Sequence, residues 1–355
     1  MLYKNIMRRT YILNPTRVIY TIALFAIILL RPDYGHTQDL HYSQFYNAPL
    51  SVSPGLTGIF NGDKRVTVSF RDQGRSIPVP YTTLSVGYDQ KFYPKRARKG
   101  FFGAGVFFNY DKQGDSNLQL LNLNLAGSYT RKLNEKNLIT IGALIGYANR
   151  AFDPDALVWD SQWDQNTNSF VGGPSGESFD FESFSFIETA LGLNYRWQKS
   201  ERTKFDLGVG GFHITTPSSK FYNGTDESLP LRIAMYAIFS RRMTEKLDLQ
   251  LDGLYQIQQD YRESLLGAYA NMYLNQERGK NRQFRVGAGY KFAAKVFFVK
   301  LGIQINEIFV AASYDMDSTD LAFQHIGASG RGPELHFRYI IKNVKPGKFK
   351  VCPIF

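Results

Sequence analysis

Long runs of strict alternation constrain this chain more than any other feature of it. In "LDLQLDGLYQIQQ", Leu247, Leu249, Leu251, Tyr255 and Ile257 fall on one face, and Asp248, Gln250, Asp252, Gln256 and Gln258 on the other. "LQLLNLNLAGSYTRKL" behaves alike through Leu121, Leu123, Leu125 and Tyr129, and "IETALGLNYRW" through Ile187, Leu191, Leu193, Tyr195 and Trp197. In "FRVGAGYKF", apolar residues alternate with Arg285, two glycines and Lys291. A period of two belongs to strands and excludes helix. The segments run to about ten residues, whereas strands of soluble sheets average about five or six and a tilted strand crosses a bilayer in about nine to eleven. Opposite the apolar face stands a polar or glycine face, not a second apolar layer. Apolar toward lipid and polar toward a lumen is the pattern of outer-membrane barrels. In lipid, only a closed barrel leaves no unpaired strand edge.

About fourteen such segments begin near Arg65, Tyr81, Phe101, Leu118, Leu138, Ser183, Phe205, Leu231, Leu247, Ser264, Gln283, Val296, Ile308 and Glu334. The expected fold is therefore all-β, a single antiparallel transmembrane β-barrel over residues 64–341. An even strand number places both termini on one side, the periplasm. The turns predicted there, such as "RKLNEKN", "QKSERTK" and "RRMTEK", are mostly short and rich in Lys and Arg. The other set includes a long connection, Asn149 to Glu182, with seven acidic residues and two tryptophans, and two more from Ile214 to Pro230 and from Met316 to Gly332. Charge took no part in assigning strands, so its division between the two sets supports the topology. Composition agrees: aromatics make up 15% of residues, with 31 glycines, while mean hydropathy is only −0.28.

The amino terminus is the exception to alternation. Lys4, Arg8, Arg9 and Arg17 precede a thirteen-residue apolar run, Val18 to Leu30, followed by a short polar exit. That is the layout of a secretory signal, assigned to residues 1–37, and the run is short for a spanning helix. Residues 1–37 hold five basic residues and one acidic, so without them the net charge falls from +11 to about +7. Cys352 is the only cysteine, so no disulfide forms within the chain.

Between signal and first strand lies "QDLHYSQFYNAPLSVSPGLTG", part of a leader assigned to residues 38–63. It has neither period, its prolines bar it from a ladder, and its rings suit packing on a lumen wall or barrel base. This stretch also resembles the start of mature chains of the PorP/SprF family of the Bacteroidota type IX secretion system. Ser43, Gln44, Phe45, Tyr46, Pro49, Leu50, Pro54, Gly55 and Gly58 carry the likeness, with Ser53 where the family often has Asn. "VPYTTLSVGYDQ", "FRVGAGYKF…SYDMDSTDL" and "GRGPELHFRYI…KFKVCPIF" extend it toward the other end, while the acidic loop has no counterpart. The resemblance implies an outer-membrane barrel that supports export or surface anchoring of a cognate adhesin-like protein with a carboxy-terminal sorting domain. It also implies periplasmic secretion components as partners.

Catalytic and metal chemistry find little footing in the sequence. A lipase needs a Ser–His–acid group near the wall; His336, on one face with Glu334 and Arg338, reads as lumen lining. No His or Cys pair has ligand spacing. Asp153, Asp155, Asp160 and Asp164 lack the regular spacing of a calcium loop and read as a solvated acidic loop. No cofactor, metal or catalytic residue is expected, and an exported barrel meets no nucleic acid. Phe45, Tyr46, Pro49 and Pro54 in the leader, Trp159 and Trp163 in the long loop, and Lys348 and Phe349 in the basic tail, residues 342–355, are the candidate partner contacts. A channel or transporter for a small solute is the competing expectation; a lipid-modifying enzyme is a third.

Overall fold

The structure, a computed structural model, describes residues 42–74, 81–94, 99–114, 116–170, 181–219, 228–277, 280–317 and 332–342. Alternation becomes strands β1 (Lys64–Gln73), β2 (Tyr81–Phe92), β3 (Gly100–Gln113), β4 (Leu118–Lys132) and β5 (Asn137–Ala151). A two-residue pair, β6 (Trp163–Asp164) and β7 (Ser169–Phe170), stands apart in the long loop. The sheet resumes with β8 (Ser183–Gln198), β9 (Lys204–Phe212), β10 (Arg232–Arg242), β11 (Leu247–Gln258) and β12 (Tyr261–Glu277). It ends with β13 (Lys280–Lys291), β14 (Val296–Ile305), β15 (Ile308–Asp317) and β16 (Gly332–Ile341).

Fourteen of these form one closed antiparallel barrel in which each strand pairs with the next, skipping β6 and β7. Closure is made by β1 on β16, with Lys64 opposite Ile341 and Arg71 opposite Glu334. No edge is left over, which is what lipid demands. The strands run from nine to seventeen residues, longer than alternation marks, and β12, β13 and β16 begin two or three residues earlier than the sequence pattern does. The reason is physical: past the apolar belt both faces are wet, so the pairing continues after the hydrophobic period has ended.

Burial follows the alternation. Leu121, Leu123 and Leu125 of β4 point out, while Asn122 and Asn124 between them are buried in the lumen. Ile141 and Ile145 of β5 and Leu191 and Leu193 of β8 continue the outer apolar face. Across all strands the outward positions form the belt that meets hydrocarbon.

The barrel has two unlike rims. Lys64 and Ile341 lie at the terminal rim, whose turns between β2 and β3, β4 and β5, β8 and β9, β10 and β11, β12 and β13, and β14 and β15 are all short. The last is a two-residue turn in which Asn306 adopts φ +54°, a left-handed conformation Asn tolerates. The loop rim carries the long connections, though also tight turns at residues 259–260 and 292–295. His213 falls one position past β9 with φ +56°, because the β9 ladder ends at Phe212.

Candidate functional site

The lumen is occupied by the chain's own leader. From Tyr42 to Phe60 nearly every residue is buried, Tyr42 and Phe45 to 1% exposure. Three single turns of 3-10 helix, Phe45–Asn47, Pro49–Ser51 and Pro54–Leu56, give the segment a compact shape without a ladder. Pro49 and Pro54 start the second and third turns, where a missing N–H costs nothing. Ser53 caps the third by accepting from Gly55 N–H at 3.1 Å.

A track of lumen-facing glycines seats it. A Cβ at Gly142 would lie 2.2 Å from Pro54 O, one at Gly192 2.3 Å from Ser53 Oγ, and one at Gly210 2.3 Å from Val52 O. Leader and wall therefore touch backbone to backbone, and any side chain at these three positions collides with the plug. Phe45, Val52, Leu56 and Ile59 of the leader join Phe101, Tyr236, Leu254, Leu265 and Phe298 of the wall in one apolar cluster.

Charged groups clamp both ends of the segment. At its start Glu334 accepts Ser43 N–H at 2.8 Å and Gln44 N–H at 2.9 Å, while Ser43 Oγ donates to Asp315 at 2.7 Å. Asp315 is balanced by Arg71 at 3.0 Å and Lys291 at 2.9 Å. At its end Asp89 accepts Gly58 N–H at 2.7 Å while paired with Arg65, whose other guanidinium hydrogen reaches Leu56 O at 3.2 Å. Arg232 donates to Ser51 O and Ser128 to Thr57 O. Each of these polar lumen groups is both buried and partnered, the condition on which buried charge is tolerable. Burial pushes the Tyr42 phenol up, so it remains protonated where it meets Ser85 Oγ at 2.7 Å.

Ser69, His336 and Glu334 form a chain, with Ser69 Oγ 2.7 Å from Nδ1 and Glu334 2.5 Å from Nε2. These are the residue types of a nucleophilic triad. Yet both Glu334 oxygens also hold the leader's N–H groups, and the Tyr42 ring lies against His336 at 5.6 Å. No room remains over Ser69 for an acyl group, so the arrangement acts as a clamp on the leader. A cavity of about 30 Å³ lies among Asn109, Asn122, Asn124, Glu188, His213 and Arg232, room for a water or two. Leu229, from the connection after β9, packs with Leu120, Ala148 and Phe186. Among the described residues, no three His, Cys, Asp or Glu side chains come together to hold a metal ion.

The predicted contact residues thus divide. Phe45, Pro49 and Pro54 are buried in the lumen, and Tyr46 packs on Tyr269 at 5.7 Å. Trp159 and Trp163 stand in the long loop, far along the chain from the leader's clamps. There Asp164 accepts from Asn166 N–H and Thr167 Oγ1, which holds its carboxyl below the usual range and closes the β6–β7 turn. Trp163 and Phe170 meet edge to face at 4.8 Å yet remain 41% and 54% exposed. Lys348 and Phe349 lie outside the described residues. Sequence reading missed the glycine track and the Asp89, Asp315 and Glu334 clamps. The mark of the former in the sequence is glycine on the lumen face in "IGALIGY", "LGLNY" and "GVGGF".

No curated protein matches the chain. Among solved structures it is similar to the Ralstonia pickettii toluene transporter TbuX, at 11% identity and a TM-score of 0.46, over 83% of this chain and 94% of that one. A Pseudomonas aeruginosa FadL homologue is similar at 11% and 0.47, over 81% and 92%, and CdiB from Escherichia coli at 7% and 0.47, over 79% and 63%. None of these similarities bears on function. The family model for the type IX secretion system membrane protein PorP/SprF matches residues 35–330, most of the chain, which therefore belongs to the PorP/SprF family of outer-membrane barrels.

Proposed function

We propose that this barrel serves type IX secretion by binding: it holds a cognate secreted protein, adhesin-like and bearing a carboxy-terminal sorting domain, during export or at the cell surface. The observation that carries the reading is the occupied lumen. With Tyr42 to Phe60 clamped inside, the surfaces left for a macromolecular partner are the two rims. On this reading residues 1–37 are the removed signal, both termini are periplasmic and the loop rim faces outward. The long acidic loop with Trp159 and Trp163 meets the secreted protein, since exposed tryptophans suit hot spots. The basic terminal rim and the tail with Lys348 and Phe349 meet periplasmic secretion components. The buried leader residues act indirectly, by keeping the wall in the shape the rims require.

The test is a mild-detergent pull-down of the tagged protein from its native outer membrane, read by mass spectrometry beside the surface proteome of a deletion strain. Recovery of one large secreted protein that vanishes from the deleted strain's surface is expected. Recovery of the barrel alone, with an unchanged surface proteome, would leave solute transport as the better reading.

A further inference from the structure

Beneath the leader, at the terminal rim, the lumen carries a surplus of cations. Lys204 is the first residue of β9, Arg338 stands three residues before the end of β16, and Arg285 five residues into β13. Lys204 lies within electrostatic reach of Arg196, Arg285 and Arg338, and Arg338 within reach of Arg285 and Arg65; Asp206, on the same face of β9, acts on Lys204 as well. Asp89 neutralises Arg65 and Asp206 neutralises Arg196, at 2.8 and 2.6 Å. Lys204, Arg285 and Arg338 have no such carboxylate among the described residues. Arg285 finds only the amides of Asn271 and Gln304, each at 3.2 Å.

The cluster is built, not incidental. The guanidinium carbons of Arg285 and Arg338 lie 4.4 and 4.5 Å from the centroid of the same buried ring, Phe309. Gly302, opposite Arg285 in the ladder, makes room for that ring; a Cβ there would lie 2.9 Å from it. Lys204, Arg285 and Arg338 are each only partly buried, so the cluster opens to solvent. Cations that outnumber their counter-charges repel, and a cleft lined mostly by one sign concentrates the opposite one.

We propose that this cup is a docking site for an acidic segment of a periplasmic partner protein, whose carboxylates take the places that no acid among the described residues fills. Planar guanidinium forks suit carboxylates, and the aromatic platform fixes the forks before the ligand arrives. A lipid headgroup is the poorer fit, because the three side chains face the lumen while the hydrocarbon belt lies on the outer face. The leader's Leu56 and Ile59 carbonyls are taken by Arg65 and Arg196, not by these three, and its Gln44 and Tyr46 line a small cavity beside Arg285 and Phe309. The inference rests on the reading of a periplasmic terminal rim, but its test does not need the secreted protein.

Fluorescence anisotropy with the purified full-length barrel in detergent would use a labelled ten-residue peptide of alternating Glu and Gly. Its Lys counterpart and inorganic phosphate serve as controls. The acidic peptide should bind, weaken as salt rises, and lose about tenfold in affinity in the Lys204→Gln, Arg285→Gln, Arg338→Gln triple variant. Lys295→Gln, on an exposed tight turn of the opposite rim, should change nothing. If the triple variant fails to fold, Lys204→Gln alone should still lose about threefold while Lys204→Arg, which keeps the charge, retains binding. No binding by the unaltered protein, equal binding by variants lacking these charges, or binding of phosphate alone would overturn the proposal. Surface retention of the secreted protein is read separately in cells, so failure here leaves that reading standing.

Discussion

Gly192 shows how much of this molecule hangs on single residues. Its lumen face has no side chain because Ser53 Oγ and Gly55 N occupy the space, 2.3 and 2.6 Å from where a Cβ would be. Gly192→Val therefore sets the leader against the wall, at about 1–3 kcal/mol for overpacking. With Cys352→Ser as background, a cysteine introduced by Leu50→Cys should resist maleimide in the otherwise unaltered barrel and react when Gly192→Val is added. Protection in both would mean the track does not seat the leader. Asp89 works through charge instead of space. It joins Arg65 to Gly58 N–H, so Asp89→Asn leaves a buried guanidinium without its partner. Breaking such a pair costs about 3–5 kcal/mol, which urea unfolding in lipid should report as a lowered midpoint.

At the scale of elements the two faces of a strand obey opposite rules. Ile145 of β5 faces the bilayer and Leu144 beside it faces the lumen. Ile145→Arg should destabilise the barrel by about 2–4 kcal/mol if it lies near the midplane; a folding titration into vesicles that shows no loss would contradict the assignment of that face to lipid. The β6–β7 hairpin follows a third rule. Trp163 and Phe170 pack on each other but remain half in solvent, so Trp163→Ala with Phe170→Ala should lower retention of the secreted partner while leaving heat-modifiable migration of the barrel unchanged. Unaltered retention would remove the hairpin from the partner surface. Elements are also where sequence and structure compare most directly. Strand identity and order are legible because lipid on one side and polar side chains on the other enforce a period of two on every segment. The leader is legible as an aromatic, proline-marked segment outside any ladder. Its seat is not, because Gly142, Gly192 and Gly210 come from three different strands and join only when the barrel closes. The Arg285–Phe309–Arg338 stack is hidden for the same reason: 53 positions of chain separate its guanidinium groups, and closure of the sheet brings them to one ring.

For the whole molecule, a barrel of fourteen strands encloses more space than its wall side chains fill, and the leader takes up the remainder. Closure gives each barrel strand a paired neighbour on both sides, while the leader completes the apolar interior and supplies counterparts for charges such as Asp89, Asp315 and Glu334. A lumen so filled directs function to the rims: acidic and aromatic where the long loops gather, basic where the chain enters and leaves. That division suits a component of a secretion system that joins a surface protein to periplasmic machinery. It does not suit a conduit whose path runs through the barrel. The most direct measurement is conductance in a planar bilayer, comparing the full-length barrel with one lacking residues 42–62. The full-length barrel should stay closed and the shortened one should open steps of conductance. Equal conductance through both, with the leader in place, would contradict the account.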